Sequence, residues 1–157
     1  MKALVKSTRK ITEIILHCSA SREGDNWSVE GVRKYHKSLG WVDIGYNYYI
    51  ELDGSVKEGR NVNITGAHTV GHNANSIGIC YCGGVDRNLK PKDTRTDAQK
   101  EALYALVNEL LILYPQATIH CHNEYANKAC PSFKIDQFKK ELKQWLEQKH
   151  EHKCNYK

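Results

Sequence analysis

Thr12-Glu13-Ile14-Ile15-Leu16-His17 (TEIILH) is the stretch on which the fold turns. An apolar, β-branched run of this length is the pattern of a short buried strand, and this one ends on a histidine. Working outward, residues 46–51 (YNYYIE), 76–82 and 117–121 repeat the aromatic and β-branched character of strands. Asp53-Gly54 marks a hairpin turn, with residues 55–58 returning along the 46–51 strand. Three helical segments lie between and after the strands. Asn26-Trp27-Ser28 opens the first, with Ser28 as N-cap, Glu30 in the first turn and Gly40 closing it. Thr96-x-x-Gln99 is a capping box before Ala98, Ala102, Leu106, Leu110 and Leu113, which recur at helical spacing until Pro115. Residues 135–149 form an amphipathic helix with Phe138, Leu142, Trp145 and Leu146 on one side. The order strand, helix, hairpin, strand, helix, strand, helix predicts an α/β fold: one domain, a mixed central β-sheet flanked by α-helices.

Composition narrows the classes. The chain has 157 residues, 40% hydrophobic and 26% charged, which suits one soluble globular domain and excludes a disordered chain. The apolar stretch around residues 102–113 is interrupted by Asn108 and Glu109, so no membrane span is expected. The start, Met1-Lys2-Ala3-Leu4-Val5-Lys6-Ser7, lacks the apolar run of a secretory signal. Net charge is +5, and residues 134–157 carry seven Lys against four acidic residues. That charge favours anionic partners such as a cell envelope, an acidic substrate or nucleic acid, and it is too weak and scattered to choose among them. No basic motif interleaved with aromatics argues for nucleic acid.

Six cysteines are present, Cys18, Cys80, Cys82, Cys121, Cys130 and Cys154. Without an export signal, structural disulfides are the weaker reading. Cys18 follows His17 and Cys121 sits between His120 and His122, which suggests metal chemistry first. His17, His122 and Cys130 suit zinc: two strand ends and a returning loop can deliver three N and S donors, leaving a fourth position for water. His120, two residues from His122, is an alternative ligand or a neighbour of one. Cys80 and Cys82, on one face of their strand, read as core packing. The spacing His150-x-His152-x-Cys154, in a polar tail, suits adventitious metal binding.

Four stretches together carry a resemblance. They are Ile14-Ile15-Leu16-His17-Cys18-Ser19-Ala20, then Gly45-Tyr46-Asn47-Tyr48-Tyr49-Ile50 with Asp53-Gly54, then Gly66-Ala67-His68 with Gly71-His72-Asn73-Ala74-Asn75-Ser76-Ile77-Gly78-Ile79, and finally His122 through Lys128-Ala129-Cys130-Pro131. In this order the sequence resembles the zinc-dependent N-acetylmuramoyl-L-alanine amidases of the type shared by T7-type phage lysozymes and peptidoglycan recognition proteins. The resemblance implies that His17, His122 and Cys130 bind Zn2+, and that Tyr46 and Lys128 form the catalytic pair. It implies that zinc-activated water cleaves the amide between N-acetylmuramic acid and L-alanine. His68 and Asn73 would line the substrate groove, and Ser76 would help form it. Residues 1–149 would be the catalytic domain, with 150–157 a polar tail.

Further expectations follow from the same resemblance. The substrate is peptidoglycan, and the chain acts as a monomer. It is made in the cytoplasm and reaches the wall in the periplasm after release, as an endolysin does. A non-catalytic wall-binding module is the alternative, as is an amidase that also inhibits an RNA polymerase. Two departures stand out. Ser132 occupies a position after Cys-Pro where the family commonly has Gly, and Asn123-Glu124 replaces the more usual Arg-Asp.

Overall fold

The structure, a computed structural model, describes residues 2–154. A five-stranded mixed sheet runs in the order β4 (Val56–Glu58), β3 (Tyr48–Ile50), β5 (Ser76–Tyr81), β1 (Glu13–Cys18), β7 (Thr118–Cys121). The neighbours are parallel except the β3–β4 hairpin. Helices α1 (Val29–Ser38), α2 (Asp97–Leu113) and α3 (Ile135–Cys154) complete the layers. This is the α/β architecture expected from the segment order.

The TEIILH strand lies at the centre, between β5 and β7, and both of its faces are covered. Ile14 pairs in register with Ile77 and Ile119, and Leu16 with Ile79. With Leu103, Leu106, Val107 and Leu110 of α2 and Phe138 and Leu142 of α3, these residues make the main core. Each such side chain contributes about 1.5–3 kcal/mol by leaving water. Side chains alternate along a strand, so Ile15 and His17 face the other way. On that side Val29 and Val32 of α1 pack with Ile44, Tyr49, Cys80 and Cys82 in a second, smaller core. Cys80 and Cys82 are thus packing residues, and every cysteine among the described residues is a free thiol.

Caps act as the sequence indicates. The Ser28 hydroxyl accepts from Gly31 N, and the Thr96–Gln99 capping box forms in both directions. Three features differ from expectation. A two-residue parallel pair, β2 (Ser21–Arg22) with β6 (Gly84–Val85), lies just beyond the strand expected over 76–82. The 46–51 strand pairs regularly only over Tyr48–Ile50. Tyr46 and Asn47 instead accept from Arg60 N and Gly59 N at 2.7 and 2.8 Å. Finally, α3 runs on through Cys154, so residues 150–154 of the expected polar tail are helical. Lys149 Nζ, 2.9 Å from Glu101, ties that end to α2, and His152 and Lys153 suit the negative end of the helix dipole. Residues 155–157 of that tail lie outside the described residues. No described helix is long and apolar enough to cross a membrane.

Candidate metal centre and active site

β1 and β7 are parallel neighbours, so their C-terminal ends share one edge of the sheet. His17 is the penultimate residue of β1 and is buried. His122 opens a single 3-10 turn (His122–Glu124) directly after β7, and Cys130 returns from the loop beyond. One donor atom from each of the three lies within 4.8 Å of the others. His17 Nδ1 is 3.8 Å from Cys130 Sγ, and the His17 and His122 rings are 4.7 Å apart. Tetrahedral zinc with ordinary Zn–N and Zn–S bonds needs donors about 3.4–3.6 Å apart. The set therefore fits zinc with only small adjustment, and it is the one such group among the described residues.

His120 does not join it. The strand ends at Cys121, and the turn redirects His122 away from the face that His120 occupies. His120 instead meets Thr118 Oγ1 at 2.7 Å and Glu124 at 3.3 Å. The residues that depart from the family pattern brace this loop. Glu124 accepts from Cys121 N at 2.5 Å, and Asn123 donates to the Phe133 carbonyl at 2.9 Å. Ser132 holds a left-handed backbone, φ 70°, and its hydroxyl donates to the Gly84 carbonyl at 2.7 Å.

Electrostatics favour neutral imidazoles. Burial pushes the His17 pKa well below the usual histidine range, with His68, His122 and Lys128 adding to the effect. His122 is lowered by burial and by Lys128. In the metal-free chain the adjacent Cys18 thiol and burial push the Cys130 thiol up. A bound cation reverses that preference, because a coordinating thiol is deprotonated.

Around the donors lie the other candidate residues. The half-buried Tyr46 ring is 5.2 Å from the His17 ring, and burial raises its phenol well above the ordinary tyrosine range. Lys128 is exposed and lines a cavity of ≈ 310 Å³ together with Trp41, His68, Val70, Asn73 and His122. Tyr46 lines a separate groove of ≈ 370 Å³ with Arg22, Asp25, Trp27 and Tyr35. Asn73 turns its Oδ1 inward, accepting from His68 N and Thr69 N at 2.9 and 2.8 Å. His68 lies against His17, with Nδ1 2.8 Å from His17 Nε2. Ser76 is fully buried, its hydroxyl 3.2 Å from His68 Nε2.

Two residues here escape sequence reading. Thr69 sits 3.0 Å from His68 Nδ1 and 3.3 Å from His17 Nε2; its place beside His68 in the chain was the available signal. Tyr125 stacks on His72 at 3.7 Å and stands 5.4 Å from His120. It thereby joins the loop bearing His68 to the loop bearing Lys128. Nothing in its local sequence marks it.

An α/β sheet that gathers two histidines and a cysteine at one strand edge, beside an open cavity, has the donor set of a metal-dependent hydrolase. Residues 7–133 match the family model for N-acetylmuramoyl-L-alanine amidase, and the chain belongs to that family. It is 40% identical over 142 residues to the endolysin of Escherichia phage T7, covering 90% of this chain and 89% of that one. The structure of the N-acetylmuramoyl-L-alanine amidase LysC from Clostridium intestinale superposes with a TM-score of 0.73 at 27% identity, covering 86% and 87% of the two chains. Bumblebee PGRP-SA superposes at 0.69 with 28% identity over 92% and 90%. The protein is an N-acetylmuramoyl-L-alanine amidase, a hydrolase of peptidoglycan.

Proposed function

We propose that this amidase is zinc-dependent and acts as an endolysin, with His17, His122 and Cys130 holding the ion. The observation that carries the reading is the convergence of these donors beside a cavity that Lys128 lines and a groove that Tyr46 lines. Zinc held there would lower the pKa of a water to about 7 and polarise the scissile carbonyl. The chain's own residues supply the rest. Lys128 Nζ, at the rim, donates to the carbonyl oxygen as negative charge develops on it. Tyr46 keeps its proton, because burial disfavours the phenolate. It therefore works as a hydrogen-bond donor at Oη and not as a base. His17 and His122 stay neutral and present lone pairs. The cavity and the groove give a glycan strand and its peptide stem separate surfaces to lie on.

The site of action is the wall in the periplasm, reached after synthesis in the cytoplasm. A wall-binding module that does not cut would need none of this chemistry, and the presence of Cys130 alongside both histidines favours hydrolysis. The test is release of new N-terminal alanine from purified cell walls, with and without a chelator. The expected result is loss of turnover on zinc removal and recovery on zinc return. Full-rate turnover in the metal-free protein would refute the reading. Cys130→Ala is expected to lose zinc and activity together.

A further inference from the structure

We propose that His68, with Ser76 behind it, is a positioning residue that fixes the tautomer and orientation of His17, and that it is not a substrate contact. The inference rests on the reading of His17 as a metal ligand. His17 has two ring nitrogens with separate tasks. Nδ1 faces Cys130 Sγ at 3.8 Å, and Nε2 faces His68 Nδ1 at 2.8 Å. To ligate through Nδ1, neutral His17 must carry its proton on Nε2. That proton needs an acceptor, and His68 Nδ1 at 2.8 Å is the nearer of the two within reach, Thr69 Oγ1 standing at 3.3 Å. His68 must then carry its own proton on Nε2, where the Ser76 hydroxyl lies 3.2 Å away.

The opposite direction of the chain fails. If Ser76 donated to His68 Nε2, His68 would donate from Nδ1 to His17 Nε2. Neutral His17 would then be protonated on the nitrogen that must face the metal. Only one direction suits a metal ligand, and the surroundings of His68 hold it for that task. Its ring lies flat against Gly78 of β5, where a Cβ would stand 2.7 Å from Cδ2. Its backbone N–H is held by Asn73 Oδ1 at 2.9 Å, and Thr69 Oγ1 sits 3.0 Å from Nδ1. Both ring nitrogens are thus engaged inside the protein, which leaves neither for a glycan or peptide. Gly78 in β5 is the sequence trace of this arrangement, since any side chain there would displace the ring.

Two measurements test the proposal. In the zinc-loaded protein carrying 15N-labelled histidine, long-range 1H–15N spectra report each tautomer. The expected pattern is His68 protonated at Nε2 and bare at Nδ1, with His17 protonated at Nε2. A proton on His68 Nδ1 overturns the proposal without any substitution. The second measurement is zinc affinity by competition with a chromophoric chelator, alongside kcat and KM on purified walls. His68→Leu, which has no acceptor, is expected to bind zinc 10–100-fold more weakly, with KM unchanged at saturating zinc. His68→Asn, which restores an acceptor near Nδ1, is expected to recover most of that loss. A raised KM with wild-type zinc affinity in His68→Leu would make His68 a substrate contact and overturn the proposal. His17→Ala separates the two readings. If it too keeps wild-type zinc affinity, the ligand assignment is wrong. If only the His68 variants keep it, the assignment stands and the positioning role fails.

Discussion

Lowering the pH should destabilise the metal-free protein through its buried imidazoles, and His68 gives the magnitude. Burial, aided by His122 and nearby arginines, pushes its pKa down to about 3, against about 6.5 in an unfolded chain. With the folded value depressed, the unfolded chain binds more protons below pH 6.5. Stability is therefore fully present above that value and falls progressively towards pH 3. At pH 5.0, where folded His68 is still neutral, the loss is about 2 kcal/mol from this residue alone. His17 adds a loss of the same sign. Urea denaturation of the chelator-treated protein at pH 7.5 and 5.0, for wild type and His68→Asn, isolates the His68 share. The wild type is expected to lose about 2 kcal/mol more than the variant over that interval, equivalent to roughly 4–8 °C in melting temperature for a chain of this size. Equal losses in the two proteins would refute the reasoning, because His68 would then not be held neutral by the fold.

Lys128→Ala is expected to retain one zinc per chain while kcat falls about 10²–10³-fold, the cost of one oxyanion donor; metal analysis beside the wall assay checks both. A stoichiometric loss of zinc would make Lys128 structural. The Arg95 guanidinium is buried, paired with Asp93 at 2.9 Å and Glu141 at 3.1 Å, and lies over the Phe133 ring at 4.0 Å. Arg95→Ala strands both carboxylates and is expected to cost about 3–5 kcal/mol, read by urea denaturation. At Ser132, Ala loses the bond to Gly84 but keeps the left-handed backbone, whereas Gly loses the bond and relieves the backbone. Ser132→Gly is therefore expected to be about 1 kcal/mol more stable than Ser132→Ala, and the reverse order would contradict the strain argument.

Where local patterns act alone, the sequence was easy to read. The apolar run of β1, the Thr96–Gln99 box and the period of α2 each specify their element through neighbours in the chain. The α/β class followed from their order. The candidate donors were legible because few residue types can ligate zinc, and His17, His122 and Cys130 stood at strand ends and in a loop. What stayed hidden depended on contacts between distant segments. His68 read as a groove residue from Gly66-Ala67-His68, and it does line the cavity beside Lys128; what the sequence hid is its second contact, Nδ1 against His17. Its inward turn depends on Asn73 capping the loop and on the bare surface of Gly78. His120, two residues from His122, stood as an alternative to it until the 3-10 turn separated the two. Residues 150–154 of α3 are exposed and carry no apolar period to mark them, and the ion pair just before them, Lys149 with Glu101, joins positions 48 apart in the chain.

Tyr125 gives the cleft a mechanical character. Clasped by His72 on one side and flanked by His120 on the other, it acts as a rivet through two loops that would otherwise be free to spread or pinch. The stack biases the mouth of the enzyme toward one gape by about 0.5–1.5 kcal/mol. Such a jaw suits a quarry that is itself an immobile mesh: a taut thread can be laid across a notch already cut to width, but it cannot be coaxed into a mouth that must first shut around it.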